Sequence, residues 1–173
     1  MKPKVTIDEV KAKLGAEYAK LGNIFLVGFR GYYANTIGKK GVNDRGYYDD
    51  AILLIRDDQI IGAWQANTDP SIFRAGIATL ACGIYDVVKH KHKGKYDALQ
   101  IVLDVVTRDG KGNLLFEGRD GINIHYGGDA DNSTWSEGCQ TVRRRDWGGF
   151  IGGVYRAMDS LRLKTIKYGL YNW

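Results

Sequence analysis

The chain is 173 residues long, with 44% hydrophobic and 26% charged residues and a formal net charge of +5. That length suits one domain with one sizeable core, and the composition excludes a disordered chain. The basic balance suits an anionic partner, whether nucleic acid, an anionic membrane surface or an anionic wall polymer, or else serves solubility alone. The basic clusters Lys89-His90-Lys91-His92-Lys93 and Arg143-Arg144-Arg145 are too short for a nucleic-acid tail.

No run approaches the length of a membrane span, and Met1-Lys2-Pro3-Lys4-Val5 lacks the apolar stretch of a signal peptide, so synthesis in the cytoplasm is expected. The two cysteines, Cys82 and Cys139, form no CxxC pair, which argues against a structural zinc site. Cys82 ends an apolar run and is expected to be a buried small hydrophobe rather than a disulfide partner.

Helical spacing of Val10, Leu14, Tyr18 and Leu21 predicts a first helix over 7–21, capped by Thr6 or Asp8 and stopped by Gly22-Asn23. An apolar strand follows at 24–30, then a Gly- and Asn-rich loop at 31–44. A hairpin is expected from 47–56 and 60–66 around Asp57-Asp58-Gln59, with a plain turn at Asn67-Thr68-Asp69-Pro70. Further strands are expected at 79–88, 101–108, from 114, and at 122–125, where His125 stands at the strand end. Phe150, Val154 and Met158 predict a second helix over 146–163. With 23 glycines and 11 tyrosines, the whole reads as one mainly-β (α+β) domain over 1–173, with an N-terminal helix within 1–22, a β-rich core over 24–142 and a C-terminal helix.

The segment Ile124-His125-Tyr126-Gly127 … Ser136-Glu137-Gly138-Cys139 carries the chemistry. Cysteine is a nucleophile as its thiolate, and a nearby imidazole can take the thiol proton. Gly138 permits a tight turn that aims backbone N–H groups at an oxyanion. Other constellations are weaker. His90 and His92 alternate and share a strand face, but lysines around them make a poor cation site, so a solvated basic loop is expected. Asp49 and Asp50 are adjacent and point to opposite faces, which disfavours a glycosidase-type acid/base couple.

His125, Gly127, Ser136, Gly138 and Cys139 together resemble the signature of the L,D-transpeptidase (YkuD-like) catalytic domain. There a His and Gly precede a variable loop ending in Ser/Thr-x-Gly-Cys. The match covers this one segment, and Tyr126 and Gln140-Thr141-Val142 depart from the usual pattern. The resemblance implies an L,D-transpeptidase-like β-sandwich. It implies Cys139 as nucleophile on peptidoglycan stem peptides and His125 as its ion-pair partner, base and then acid. It also implies Gly138 and Cys139 N–H groups as the oxyanion site, and no metal or organic cofactor.

Tyr126, Gly127, Trp135, Ser136 and Arg143 are the candidate substrate contacts, with Arg143 a possible carboxylate ligand. Water as acyl acceptor gives a wall peptidase of the endolysin type, acting in the periplasm if phage-derived. An amine acceptor gives a cross-linking L,D-transpeptidase. The rival of another class is a non-catalytic basic binding module.

Overall fold

The computed structural model describes residues 1–118 and 121–173. Its elements, in chain order, are α1 (Ile7–Leu14), β1 (Ile24–Arg30), β2 (Asp50–Arg56), β3 (Gln59–Asn67), β4 (Ala78–Leu80), β5 (Gly83–His92), β6 (Tyr96–Val102), β7 (Val105–Arg108), β8 (Leu114–Phe116), β9 (Asn123–Tyr126), β10 (Gln140–Val142), α2 (Arg144–Ser160) and β11 (Thr165–Asn172). The protein is mainly β with a helix near each end, as the composition and periodicity suggest. The main sheet is not an open sandwich layer. It closes into a barrel in the order β1-β11-β5-β6-β9-β10-β3-β2, and β4-β7-β8 form a small separate sheet. Closure removes the exposed strand edges that two open layers would leave.

The apolar runs of β1 and β2 are explained by burial on both faces. Ile24, Leu26, Ile52 and Leu54 belong to one core cluster, together with Val87, Leu99, Ile124, Val142, Tyr168 and the apolar stripe of α2. Phe25, Val27, Phe29, Ala51, Leu53 and Ile55 face the other way, toward Val10 and Leu14 of α1. α1 begins with a capping box, in which the Thr6 side chain accepts from the Glu9 N–H and Glu9 reaches back to the Thr6 backbone. The helix ends at Leu14, earlier than its periodicity predicts, and continues as a 3-10 turn over Gly15–Lys20.

Closure depends on β11, which lies beyond the helix predicted to end at 163 and was not expected. It pairs parallel with β1 and antiparallel with β5. The strand expected at 79–88 is two strands, with a bend at Ala81-Cys82 between β4 and β5. That bend turns Cys82 outward, so the expected buried thiol is exposed, 3.6 Å from Asn172 Oδ1. Likewise 101–108 breaks at Leu103-Asp104, where Leu103 takes φ 56°. Among the described residues no helix is long and apolar enough to cross a membrane.

Asn67-Thr68-Asp69-Pro70 is more than a capped turn, because it closes a buried polar knot. Asp50 accepts from Gly31 N–H (2.5 Å), Thr68 N–H (2.6 Å) and Thr68 Oγ1 (2.7 Å). Arg30 donates to the Thr68 carbonyl at 2.8 Å and pairs with Asp69 at 3.1 Å. Burial pushes the Asp49 carboxyl up to about 6, with Asp69 and Asp44 adding to the effect, although the Asp44 N–H opposes it. Asp50 is driven well above the ordinary range for the same reason, burial first and then Asp69 and Asp49.

The folded Asp49 therefore holds its proton more tightly than the unfolded chain, whose carboxyl titrates near 3.9. Stability from this group is present at low pH and is lost as pH rises through about 6. Asp49→Asn should remove that loss. The difference in melting temperature between variant and parent, measured from pH 4 to 7.5, should move in the variant's favour as pH rises. A difference independent of pH would show that the carboxylate is fully compensated.

Candidate active site

β9 and β10 pair in parallel, Gln140 opposite Ile124 and Thr141 opposite His125. Residues of one strand alternate faces, and partners across a pair share one. Ile124 and Val142 point into the core, so Asn123, His125 and Thr141 stand on the opposite, outward face. Cys139, one residue before β10, joins them, and the Asn123 N–H donates to its sulfur at 3.5 Å. Sulfur and imidazole thus share the outward face of adjacent strands, with Asn123 and His125 one pleat apart, roughly 7 Å along the strand.

His125 Nδ1 lies 2.7 Å from the Tyr126 carbonyl. A carbonyl only accepts, so Nδ1 carries the proton and Nε2 is left as the basic nitrogen. The group that orients the imidazole, which the sequence left open, is therefore the next residue's own backbone.

The loop leading to the nucleophile is internally locked. Ser136 Oγ donates to the Cys139 carbonyl at 2.6 Å and accepts from the Gly138 N–H at 3.0 Å. Ser136 N–H donates to Ser71 Oγ at 2.6 Å, and Ser71 Oγ lies 2.6 Å from Thr134 Oγ1. Ser136 is thus a buried strut of the turn rather than an exposed substrate contact. Gly138 has φ 134°, and a Cβ there would lie 2.6 Å from the Ala78 carbonyl oxygen, so only glycine fits. Because the Gly138 N–H is already bonded to Ser136, it does not serve as an oxyanion donor. The Cys139 N–H has no partner among the described residues and is the donor that remains.

Other expected contacts are also spent inside. Arg143 is 2% exposed, donating to Gln65 Oε1 (3.1 Å) and the Asp129 carbonyl (2.5 Å) and pairing with Asp131. Its guanidinium lies over the Tyr48 ring at 4.5 Å. It braces the loop between the two strands and has no face left for a substrate carboxylate. Gly127 is a packing glycine, since a Cβ would meet the Tyr48 hydroxyl at 2.3 Å. Trp135, by contrast, is 63% exposed beside the nucleophile turn, and Tyr126 is half-buried with Arg144 over its ring at 5.0 Å. Asp49 and Asp50 belong to the buried knot and do not line this face.

Residues from the β5–β6 hairpin complete the site, and local sequence did not reveal them. The expected solvated loop is instead strand, since 89–92 end β5 and the neighbouring β6 pairs with β9 in the barrel wall. The His92 and His125 rings stack with centroids 4.3 Å apart and planes 24° from parallel. Tyr96 and Tyr126 lie 4.3 Å apart, and Tyr126 leads inward to Trp147 at 6.2 Å. Lys93 and Gly94 form the hairpin tip at φ 50° and 70°. The available signal was alternation, which sets His90 and His92 on one strand face, but not what they face; the pairing of His92 with Tyr96 comes from strand register.

Burial lowers His125 to about 4, opposed by its hydrogen bond to Tyr126 and reinforced by the neighbouring His92 ring and the charge of Lys93. Burial likewise raises the Cys139 thiol, opposed by hydrogen bonds from Asn123 and the charge of Lys93. The expected resting thiolate–imidazolium pair is therefore reversed. Desolvation favours the neutral thiol and neutral imidazole.

Beside the turn lies a groove of about 270 Å³ lined by Arg74, Ala78, Arg108, Glu117, Ile122 and Glu137, among others. Glu137 is the residue two before Cys139, and Arg74 pairs with it at 3.0 Å. A larger hollow of about 480 Å³, between Leu21–Ile24 and Leu161–Lys167, holds no nucleophile. No protein-family model, curated protein or solved structure is detectably similar to this chain.

Alkylation of Cys139 by iodoacetamide should show an apparent pKa above the free-thiol value of about 8.5. A midpoint below 7 would restore the ion pair. His125 is held below its ordinary value, so its contribution to stability is lost as pH falls from about 6.5 toward 4. The melting temperature of His125→Gln relative to the parent should therefore rise steadily over that interval, and a flat difference would place the ring in water.

Proposed function

We propose that this protein is a cysteine-dependent acyl-transfer enzyme that hydrolyses the stem peptides of peptidoglycan, an endolysin-like wall peptidase on an L,D-transpeptidase-like scaffold. The observation that carries the reading is the pairing of β9 with β10. It sets the Cys139 sulfur and the His125 imidazole on one outward face, with Nδ1 tied to the Tyr126 carbonyl and Nε2 basic.

In this scheme the Cys139 sulfur attacks the scissile carbonyl as His125 Nε2 takes the thiol proton. The carbonyl oxygen becomes an oxyanion held by the Cys139 N–H. One such donor contributes about 2.7–4 kcal/mol in other acyl-transfer enzymes. The C–N bond then breaks, His125 Nε2–H gives its proton to the leaving amine, and a thioester remains. Water attacks the thioester, returning a proton through His125 to the sulfur, and the carboxylic acid leaves. Substitution of an amine for that water would give a cross-link.

The groove beside Glu137 offers both signs of charge to a peptide that itself carries carboxylates and amines. The net charge of +5 suits the anionic wall as a whole. The exposed Trp135 stands at the rim of the turn. On this reading the enzyme acts in the periplasm if it is phage-derived.

The test is digestion of purified peptidoglycan, with the fragments identified by mass spectrometry. The parent protein should release peptides while leaving sugar chains intact. Cys139→Ala should release none, with a melting temperature within a few degrees of the parent. Cross-linked products formed in the presence of an amine acceptor would assign transpeptidation instead, and cleaved glycans with intact peptides would overturn the proposal.

A further inference from the structure

His92 has no role in the acyl-transfer scheme, yet it covers the group that does the work. It ends β5 and lies ring to ring with His125, 4.3 Å between centroids. Its other neighbour is Tyr96, at 5.5 Å, and Tyr96 in turn meets Tyr126, whose carbonyl fixes His125 Nδ1. The rings thus close a circuit around the base. His92 Nδ1 is buried with no hydrogen-bond partner among the described residues.

We propose that His92 is a positioning residue for His125, whose stacked ring fixes the plane of the base imidazole and shuts water off its face. The inference rests on reading His125 as the general base, and it assigns His92 an action through that base rather than on the substrate.

The chemistry favours one proton on the stacked pair. A neutral ring over an imidazolium is attractive, whereas two imidazolium rings in contact repel. His125 can therefore accept the thiol proton only while His92 stays neutral. The buried Nδ1 enforces this, because a protonated His92 would bear an N–H there with no acceptor. The groups facing His92 act in the same direction. His90 and Lys93 from its own strand and turn oppose a positive charge, and burial opposes it most. Tyr96 from β6 supplies a ring face and no carboxylate, and His125 from β9 supplies the stacked ring. His90, two residues earlier, makes no such stack, and its carbonyl instead accepts from the Tyr155 hydroxyl at 3.2 Å.

The test compares His92→Ala and His92→Phe, with the His125 ring titrated by nitrogen-15 NMR and wall digestion measured in parallel. Removing the ring in His92→Ala should admit water, raising the His125 midpoint by at least one pH unit toward the ordinary value of about 6.5. It should also cut kcat about tenfold with KM unchanged. Phenylalanine keeps a ring but carries no titrating group, so His92→Phe should restore the midpoint and bring kcat to within twofold of the parent. His92→Gln, which also lacks the ring, should behave as the alanine variant does and replaces it if the alanine variant fails to fold.

An unchanged midpoint in the ringless variants, or a phenylalanine variant that behaves like alanine, overturns the proposal. Should the parent protein digest no wall, the NMR midpoint alone decides. A shift then upholds the positioning role while the hydrolase reading fails, and no shift removes both.

Discussion

Two parallel strands cannot be joined by a tight hairpin, so the chain between β9 and β10 must leave the sheet and return. Residues 127–139 make that excursion, and everything at the site depends on how rigidly they make it. Arg143 holds the outgoing half through Asp129 and Asp131, under the ring of Tyr48. Ser136 holds the returning half through the Cys139 carbonyl and Gly138 N–H. A buried arginine is costly unless its donors are satisfied, and here Gln65, Asp129 and Asp131 take them. The result is a sulfur delivered against the Asn123 N–H, on the strand whose next outward residue is His125.

The same burial that makes the turn rigid sets the resting chemistry. A thiol and an imidazole withdrawn from water both lose more as ions than as neutral groups. Their mutual attraction must exceed that loss before an ion pair forms. Lys93 favours the thiolate but opposes the imidazolium. On the proposed acyl-transfer reading, the proton transfer would be concerted with attack, the positive charge appearing only when an oxyanion appears nearby to offset it. A stacked neutral ring on His125 belongs to the same arrangement, since it excludes water without adding charge.

Much of the frame was legible in the chain itself. The apolar run at 24–30 indicated β1, the hairpin signals at 47–66 indicated β2 and β3, and Thr6 or Asp8 marked the start of α1. The stripe of Phe150, Val154 and Met158 marked α2. Barrel closure was not legible, because β11 has no local signal as strong as the helix before it. Its place between β1 and β5 is set by long-range pairing. Arg143 and Ser136 were misread for a related reason. Both are polar residues beside a nucleophile, and nothing local distinguishes a strut from a substrate contact.

The sequence by itself determined that a cysteine and a histidine lie on one short Gly-rich segment, and that alternation would set His90 and His92 on one face of a strand. Only the tertiary structure decided that the His92 ring stacks on His125, that the Gly138 N–H is already occupied, and that His125 is buried while Cys139 is half-buried. The physical reason is range. Backbone preference and side-chain alternation act over a few residues, whereas strand register and desolvation are properties of every chain segment that packs around a site.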